Sequence, residues 1–249
     1  MSGHSKWSTI KRRKGAQDAR RGKVFTKLIR EIATAARLGG GDPDSNPRLR
    51  IAVDRARQAN MPKDNIERAI RKGLGAGDNE TYDEVVYEGY GPGGTAIYVQ
   101  ALTDNKNRTV GEVRHVLTRY GGNLGATGCV SYLFEKRGLI SFDRAGIDPD
   151  ALLEAALEAG ADDVVEGSEG VEVVTRQAGF ESVKRALEAR GLRPLSADLT
   201  LHPLTTVHLT GKDAETMLRI ADALEDLDDV QHVYANFDIS EDEMSRLAG

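Results

Sequence analysis

Between Lys23 and Leu38 the apolar side chains return with the period of an α-helix. At 100° per residue Phe25, Leu28, Ile29, Ile32 and Ala36 fall on one face, and Gly39-Gly40-Gly41 stops the segment. Lys23, Lys27, Arg30 and Arg37 fall almost opposite, in a stripe about 80° wide that is expected to face solvent. A second helix is predicted from Asn46-Pro47, an N-cap followed by proline at the first helical position, to about Asn60, before Pro62. Leu49, Ala52, Val53 and Ala56 line its apolar side. A third covers about 63–72, with Ile66, Ala69 and Ile70 inside and Gly73 or Gly75 closing it. Three short amphipathic helices with brief loops predict a small bundle.

Beyond residue 77 the pattern changes to short strands and helices. Residues 95–103 alternate as a strand, 109–120 follow a helical period, and 129–134 read as another strand. A compact unit follows: strand near 138–143, helix near 149–159, strands near 162–167 and 170–176, helix near 180–190, strand near 194–202. That β-α-β-β-α-β order is the ferredoxin-like signature. Strand 205–210, helix 213–225 and strand 230–237 would then complete the β-α-β left open at Phe134. The predicted class is α+β with three domains: an N-terminal three-helix bundle and two α+β modules, a ferredoxin-like insert within a discontinuous middle domain. The expected boundaries are a basic arm at 1–22, helical domain 23–77, middle domain 78–136 plus 205–240, insert 137–204 and acidic tail 241–249.

Composition sharpens this picture in one respect. With 39% hydrophobic and 29% charged residues the chain is globular, and its net charge of −5 is ordinary. That charge is divided, however. Residues 1–75 hold 19 Lys and Arg against 7 Asp and Glu, a net of +12, and the remainder nets −17. Residues 1–23 carry Lys6, Lys11, Arg12, Arg13, Lys14, Arg20, Arg21 and Lys23 against Asp18 alone. A basic arm continuous with a basic helix stripe points to a polyanion, and Trp7 adds a ring able to stack on a base. No apolar run approaches the roughly 18–20 residues of a membrane span, and no apolar segment follows the charges as in a secretory signal.

Catalytic and cofactor signatures are lacking. Gly89-Tyr90-Gly91-Pro92-Gly93-Gly94 fits G-x-G-x-x-G, but a strand opens after it where a dinucleotide site needs a helix, so it reads as a turn between strands. His4, His115, His202, His208 and His232 show no ligand spacing, and the single Cys129, in a predicted buried strand, excludes a disulfide framework. No pair of carboxylates nominates itself for acid–base work. Neither enzyme activity, cofactor nor small-molecule substrate is expected. Two loops keep two readings each. Asn105-Lys106-Asn107-Arg108-Thr109 puts Lys106 and Arg108 beside a helix N-terminus, a phosphate site or an ordinary capped loop. Gly121, Gly122, Gly125 and Gly128 permit close approach to a partner or merely a tight connection.

Ser2-Gly3-His4-Ser5-Lys6-Trp7, the run Lys23 to Ile32, Asn46-Pro47-Arg48-Leu49-Arg50 and Asn60-Met61-Pro62-Lys63-Asp64-Asn65-Ile66 closely resemble the YebC family. So do the runs Tyr87 to Gly94, Thr103 to Thr109 and 121–134. The resemblance thins over 140–200 and in the acidic C-terminus. It implies a three-domain, non-enzymatic protein of gene expression: a transcriptional regulator binding promoter DNA, or a ribosome-associated translation factor binding rRNA and relieving stalling on proline-rich sequences. The mitochondrial relatives it implies are translational activators. A motif starting at Ser2-Gly3 favours a bacterial cytoplasmic member. The third helix offers Lys63, Asn65, Arg68, Arg71 and Lys72, phosphate-type contacts rather than base readers, and the glycine-interrupted arm suits irregular RNA at least as well as duplex DNA.

Overall fold

The computed structural model describes residues 17–75, 81–167 and 170–248. Helix α1 spans Gln17–Gly39, α2 Pro47–Gln58 and α3 Lys63–Gly73. The predicted faces pack: Ile32, Ala36, Leu49, Val53, Ala56, Ile66 and Ala69 form one buried cluster, with Phe25, Leu28, Ile29 and Ile70 against it. Asn46 joins two helices. Its Oδ1 accepts from Leu49 N at 3.1 Å as the N-cap of α2, while its Nδ2 donates to Ala35 O and Gly40 O, both at 2.8 Å, at the end of α1. Helix α1 is already formed at Gln17, earlier than the hydrophobic period indicates, because that period marks only where the helix has something to pack against.

The middle of the chain builds a four-stranded antiparallel sheet in the order β3-β1-β2-β9, from β1 Asp83–Tyr90, β2 Ala96–Thr103, β3 Asn123–Leu124 and β9 Val230–Ala235. Helices α4 (Lys106–Arg119) and α7 (Gly211–Glu225) cover one face, where Ile97, Val99, Leu117, Met217, Ile220 and Leu224 are buried together. Residues 91–95 turn β1 into β2, with Gly93 and Gly94 at φ 65° and 76°, so the glycine run is a hairpin turn. Short strands β8 (Val207–His208) and β10 (Phe237–Asp238) pair in parallel beside this unit, β8 being all that forms of the strand expected over 205–210. Helix α8 (Glu241–Ala248) closes the chain.

Between them lies a second four-stranded antiparallel sheet in the order β5-β6-β4-β7. Its strands are β4 Phe134–Asp143, β5 Asp163–Glu166, β6 Gly170–Arg176 and β7 Ser196–Pro203. Helices α5 (Pro149–Glu158) and α6 (Phe180–Ala189) supply Leu152, Ala156, Val183 and Leu187 to its core against Ile140, Phe142 and Val173. Alternation along β4 explains the side chosen, since Ile140 and Phe142 point to the helices. This is the ferredoxin-like unit, and the chain as a whole is α+β.

One segment departs from the expected pattern. Residues 129–133 are not a strand: Ser131–Leu133 form a single 3-10 turn and β4 begins at Phe134. Cys129 accordingly lies in a loop, half-buried rather than in a strand core. The backbone N–H groups that a sheet ladder would need are already committed. Gly128 N, Val130 N and Ser131 N donate to the Glu88 carboxylate at 2.7, 2.7 and 2.8 Å.

Candidate nucleic-acid interface

Of the residues that the sequence nominates, Lys6, Trp7, Lys11, Arg12, Arg13 and Lys14 lie outside the described residues. Arg20 and Arg21 belong to α1, and their side chains lie outside the described set as well.

The stripe Lys23, Lys27, Arg30 and Arg37 is not left simply to solvent, contrary to expectation: Lys27 and Arg30 are half-buried, and the exposed Lys23 and Arg37 also find partners. The stripe faces the middle unit. Lys23 Nζ donates to Asp226 O at 3.1 Å, Lys27 Nζ to Glu225 O at 2.5 Å, and Arg30 Nη1 to Asp228 O at 2.6 Å. Arg37 Nη2 donates to Tyr82 O at 2.6 Å. Three of these acceptors end α7 or follow it directly, where carbonyls have no intrahelical donor and the helix dipole adds negative potential. The seam between α1 and the α7–β9 turn is thus made of cations on helix-terminal oxygens.

Asp229 organises the seam. Its side chain is 2% exposed and meets Arg30 at 2.5 Å and Arg108 at 2.8 Å. Thr103 Oγ1 and Thr109 Oγ1 also donate to Asp229 Oδ2, at 3.0 and 2.6 Å. Burial pushes its pKa up, but the hydrogen bonds from Thr109 and Arg108, the charge of Arg30 and the bond from Thr103 outweigh it and hold it below the usual carboxylate value. Tyr82, 8% exposed, sits alongside with Arg30 and Lys72 over its ring at 5.4 and 5.5 Å.

The loop into α4 is capped and paired. Asn105 Oδ1 accepts from Arg108 N at 3.1 Å, Lys106 pairs with Asp83 at 3.2 Å, and Arg108 pairs with Asp104 at 2.6 Å besides Asp229. The helix starts at Lys106, so both cations belong to its first turn. The glycine loop is held rather than loose. Glu88, 4% exposed, receives its three amide bonds, and a Cβ at Gly122 would lie 2.6 Å from Tyr90 O. Gly128 takes φ 88°, which a residue with a side chain rarely adopts. The loop ends on Tyr132, which is 68% exposed. Nothing in the sequence flags Glu88, because its partners are backbone amides and any residue supplies those.

Cations without such commitments lie elsewhere on the helical unit. Among the described residues Arg50 on α2 and Arg68 and Arg71 on α3 are exposed and make no ion pair. Nearby Arg57 and Lys63 pair only within their own helices, with Asp54 and Glu67, on the surface. Arg55 reaches across to Asp198 of the ferredoxin-like unit, and Arg48 to Glu31 and Glu84.

These features define a class: a basic helical unit carried on a largely acidic α+β body, with no group of three or more His, Cys, Asp or Glu side chains able to hold a metal among the described residues. No described helix is long and apolar enough to cross a membrane. The chain belongs to the TACO1/YebC family. The family's N-terminal domain model matches residues 5–76, and the model of its second and third domains matches residues 82–237. Similar chains include a probable transcriptional regulatory protein of Citrifermentans bemidjiense, 60% identical over 99% of this chain and all of that one. One of the same description from Geobacter sulfurreducens is 59% identical over the same shares. The crystal structure of a conserved hypothetical protein of Aquifex aeolicus superposes with a TM-score of 0.82 at 51% identity, covering 90% of this chain and 93% of that one.

Proposed function

We propose that the protein is a non-enzymatic, nucleic-acid-binding regulator of gene expression; its relatives are named probable transcriptional regulatory proteins. The observation that carries this reading is the division of charge: a net of +12 over residues 1–75 against −17 over the rest. Such a surface binds a phosphate backbone through release of its counterions and leaves the acidic body turned away. The arm residues Lys6, Lys11, Arg12, Arg13, Lys14, Arg20 and Arg21, with Trp7 stacking, are the primary contacts. Arg50, Arg68 and Arg71 extend them over the outer faces of α2 and α3. Lys106 and Arg108 contribute only where a ligand outcompetes Asp83, Asp104 and Asp229.

Two features favour RNA on the ribosome over a promoter. The outer face of α3 mixes Lys63, Arg68 and Arg71 with Asp64 and Glu67, which positions a backbone but offers no set of base-reading side chains. The Glu88-held loop presents Tyr132 rigidly, a feature of use in a confined RNA site and of none in a duplex groove. Ultraviolet cross-linking of the native protein in growing cells, followed by sequencing of the attached nucleic acid, tests this. Ribosomal RNA enriched at a few positions is the expected result. Enrichment of promoter DNA with no ribosomal RNA would leave the transcriptional form of the proposal standing alone, and recovery of neither would end it.

A further inference from the structure

The α1 seam satisfies cations that a phosphate backbone would also satisfy, and it is built to come apart. Its apolar part is small: Ala33, Tyr82 and Leu102 form a cluster separate from the cores on either side. Interfaces of that kind, held mainly by charge, allow the units they join to move. Lys23, Lys27 and Arg30 each donate to a backbone carbonyl, which carries partial charge where a phosphate carries a full one, while Arg30 also meets the Asp229 carboxylate at 2.5 Å and Lys23 the Asp226 carboxylate at 3.6 Å. The three lie at i, i+4 and i+7 along about 10 Å of helix, and they continue the track of the basic arm. While the seam is closed their charge is cancelled. The open groove beside it, about 470 Å³, is lined by Lys23, Arg30 and Arg108 but also by Asp104, Asp226 and Asp229.

Opening leaves no buried charge stranded. When Arg30 departs, Asp229 keeps Arg108 at 2.8 Å, Thr109 at 2.6 Å and Thr103 at 3.0 Å, all from its own unit. Asp226 and Asp228 are exposed, so their carbonyls pass from lysine and arginine to water. The usual penalty for breaking a buried ion pair, an orphaned partner, is therefore largely avoided on this side.

We infer that the seam is a latch, and that its inner face, Lys27 and Arg30 with Lys23 at the rim, is a second binding surface for a nucleic-acid phosphate backbone, fully reached only when the helical unit swings off the α7–β9 turn. This rests on the nucleic-acid reading above. Binding then begins at the arm and is completed by exchange of carbonyl oxygens for phosphate oxygens, so that tight association and domain opening are one event.

The test locks the latch. Lys23 and Asp226, whose charged groups lie 3.6 Å apart and whose side chains are 47% and 66% exposed, are both changed to cysteine in a chain that also carries Cys129→Ser. A short bismaleimide then bridges them. Affinity for a single-stranded RNA and for a DNA duplex of the same sequence is measured against salt before and after bridging. The bridged chain is expected to bind at least about five-fold more weakly, with a slope of log K against log salt shallower by about 2, the share of Lys27 and Arg30. Superimposable curves for the bridged and unbridged chains would overturn the latch. Absence of binding by the unbridged chain at low salt would instead remove the nucleic-acid reading, and this inference with it. Asp229→Asn supplies a check that needs no cross-link: if the variant is folded by circular dichroism, it should bind about three-fold more tightly than the parent, and unchanged or weaker binding would count against the latch.

Discussion

Replacing Arg30 with glutamate is expected to uncouple the helical unit from the rest of the molecule. The substitution removes a guanidinium from Asp229 and Asp228 O and sets a carboxylate beside one that is 2% exposed. Arg108, Thr103 and Thr109 still hold Asp229, so the cost is smaller than for a wholly orphaned buried charge: about 2–3 kcal/mol, borne by the helical unit. A unit of some 60 residues buries little core of its own and depends on what it docks against. Calorimetry should resolve a separate, earlier transition, lower by about 15 °C. Lys63→Glu, at an exposed surface pair, is the control and should shift nothing measurable. A single unshifted transition for Arg30→Glu would show that the seam does not stabilise the helices. The pH dependence has a definite sign. Because the Asp229 pKa is lowered in the folded chain, its contribution is fully present above the ordinary aspartate value of about 3.9 and is lost as pH falls through the lower folded value.

Glu88→Ala should cost about 3–4 kcal/mol, because it strips three amides of a charged acceptor at once. Val130 is fully buried and its N–H has no route to water without local opening. Gly128 and Ser131 are exposed and recover part of the loss by hydration. Urea unfolding gives the total. Hydrogen exchange at Gly128, Val130 and Ser131 gives the cause, with protection expected to fall at all three while the β1–β2 hairpin amides are unaffected. Unchanged exchange at Val130 would mean that Glu88 is not what holds the loop. Glu88→Gln should fall between the two, since one amide oxygen can replace only part of a bidentate carboxylate.

Where the sequence succeeded and where it did not follows from what each pattern encodes. The period of α1 identified Ile32 and Ala36 as core, and Asn46-Pro47 identified the start of α2, because side-chain burial and capping are written in side-chain identity. The order β-α-β-β-α-β likewise gave the ferredoxin-like unit. The opposite face of α1 could not be read. A row of Lys and Arg looks the same whether it meets water or a second domain, and the acceptors it finds, Glu225 O, Asp226 O and Asp228 O, are backbone atoms. The strand expected over 129–134, of which only Phe134 joins β4, failed for the same reason. Its apolar run looks like a strand, but Glu88, some 40 residues earlier, takes the amides that a strand would pair.

The central claim is that the arm binds nucleic acid through its charge, and a salt titration with and without residues 2–16 addresses it most directly. That deletion removes Lys6, Lys11, Arg12, Arg13 and Lys14 from a segment with almost no apolar side chains to bury, so the fold should survive, which circular dichroism checks. Binding to a ribosomal RNA fragment is followed by fluorescence anisotropy from about 50 to about 400 mM salt. The intact chain should show a steep linear fall of log K with log salt. The shortened chain should bind at least about 100-fold more weakly near 0.1 M salt, with a slope shallower by about 3–4. Equal affinity and equal slope in the two proteins would contradict the account.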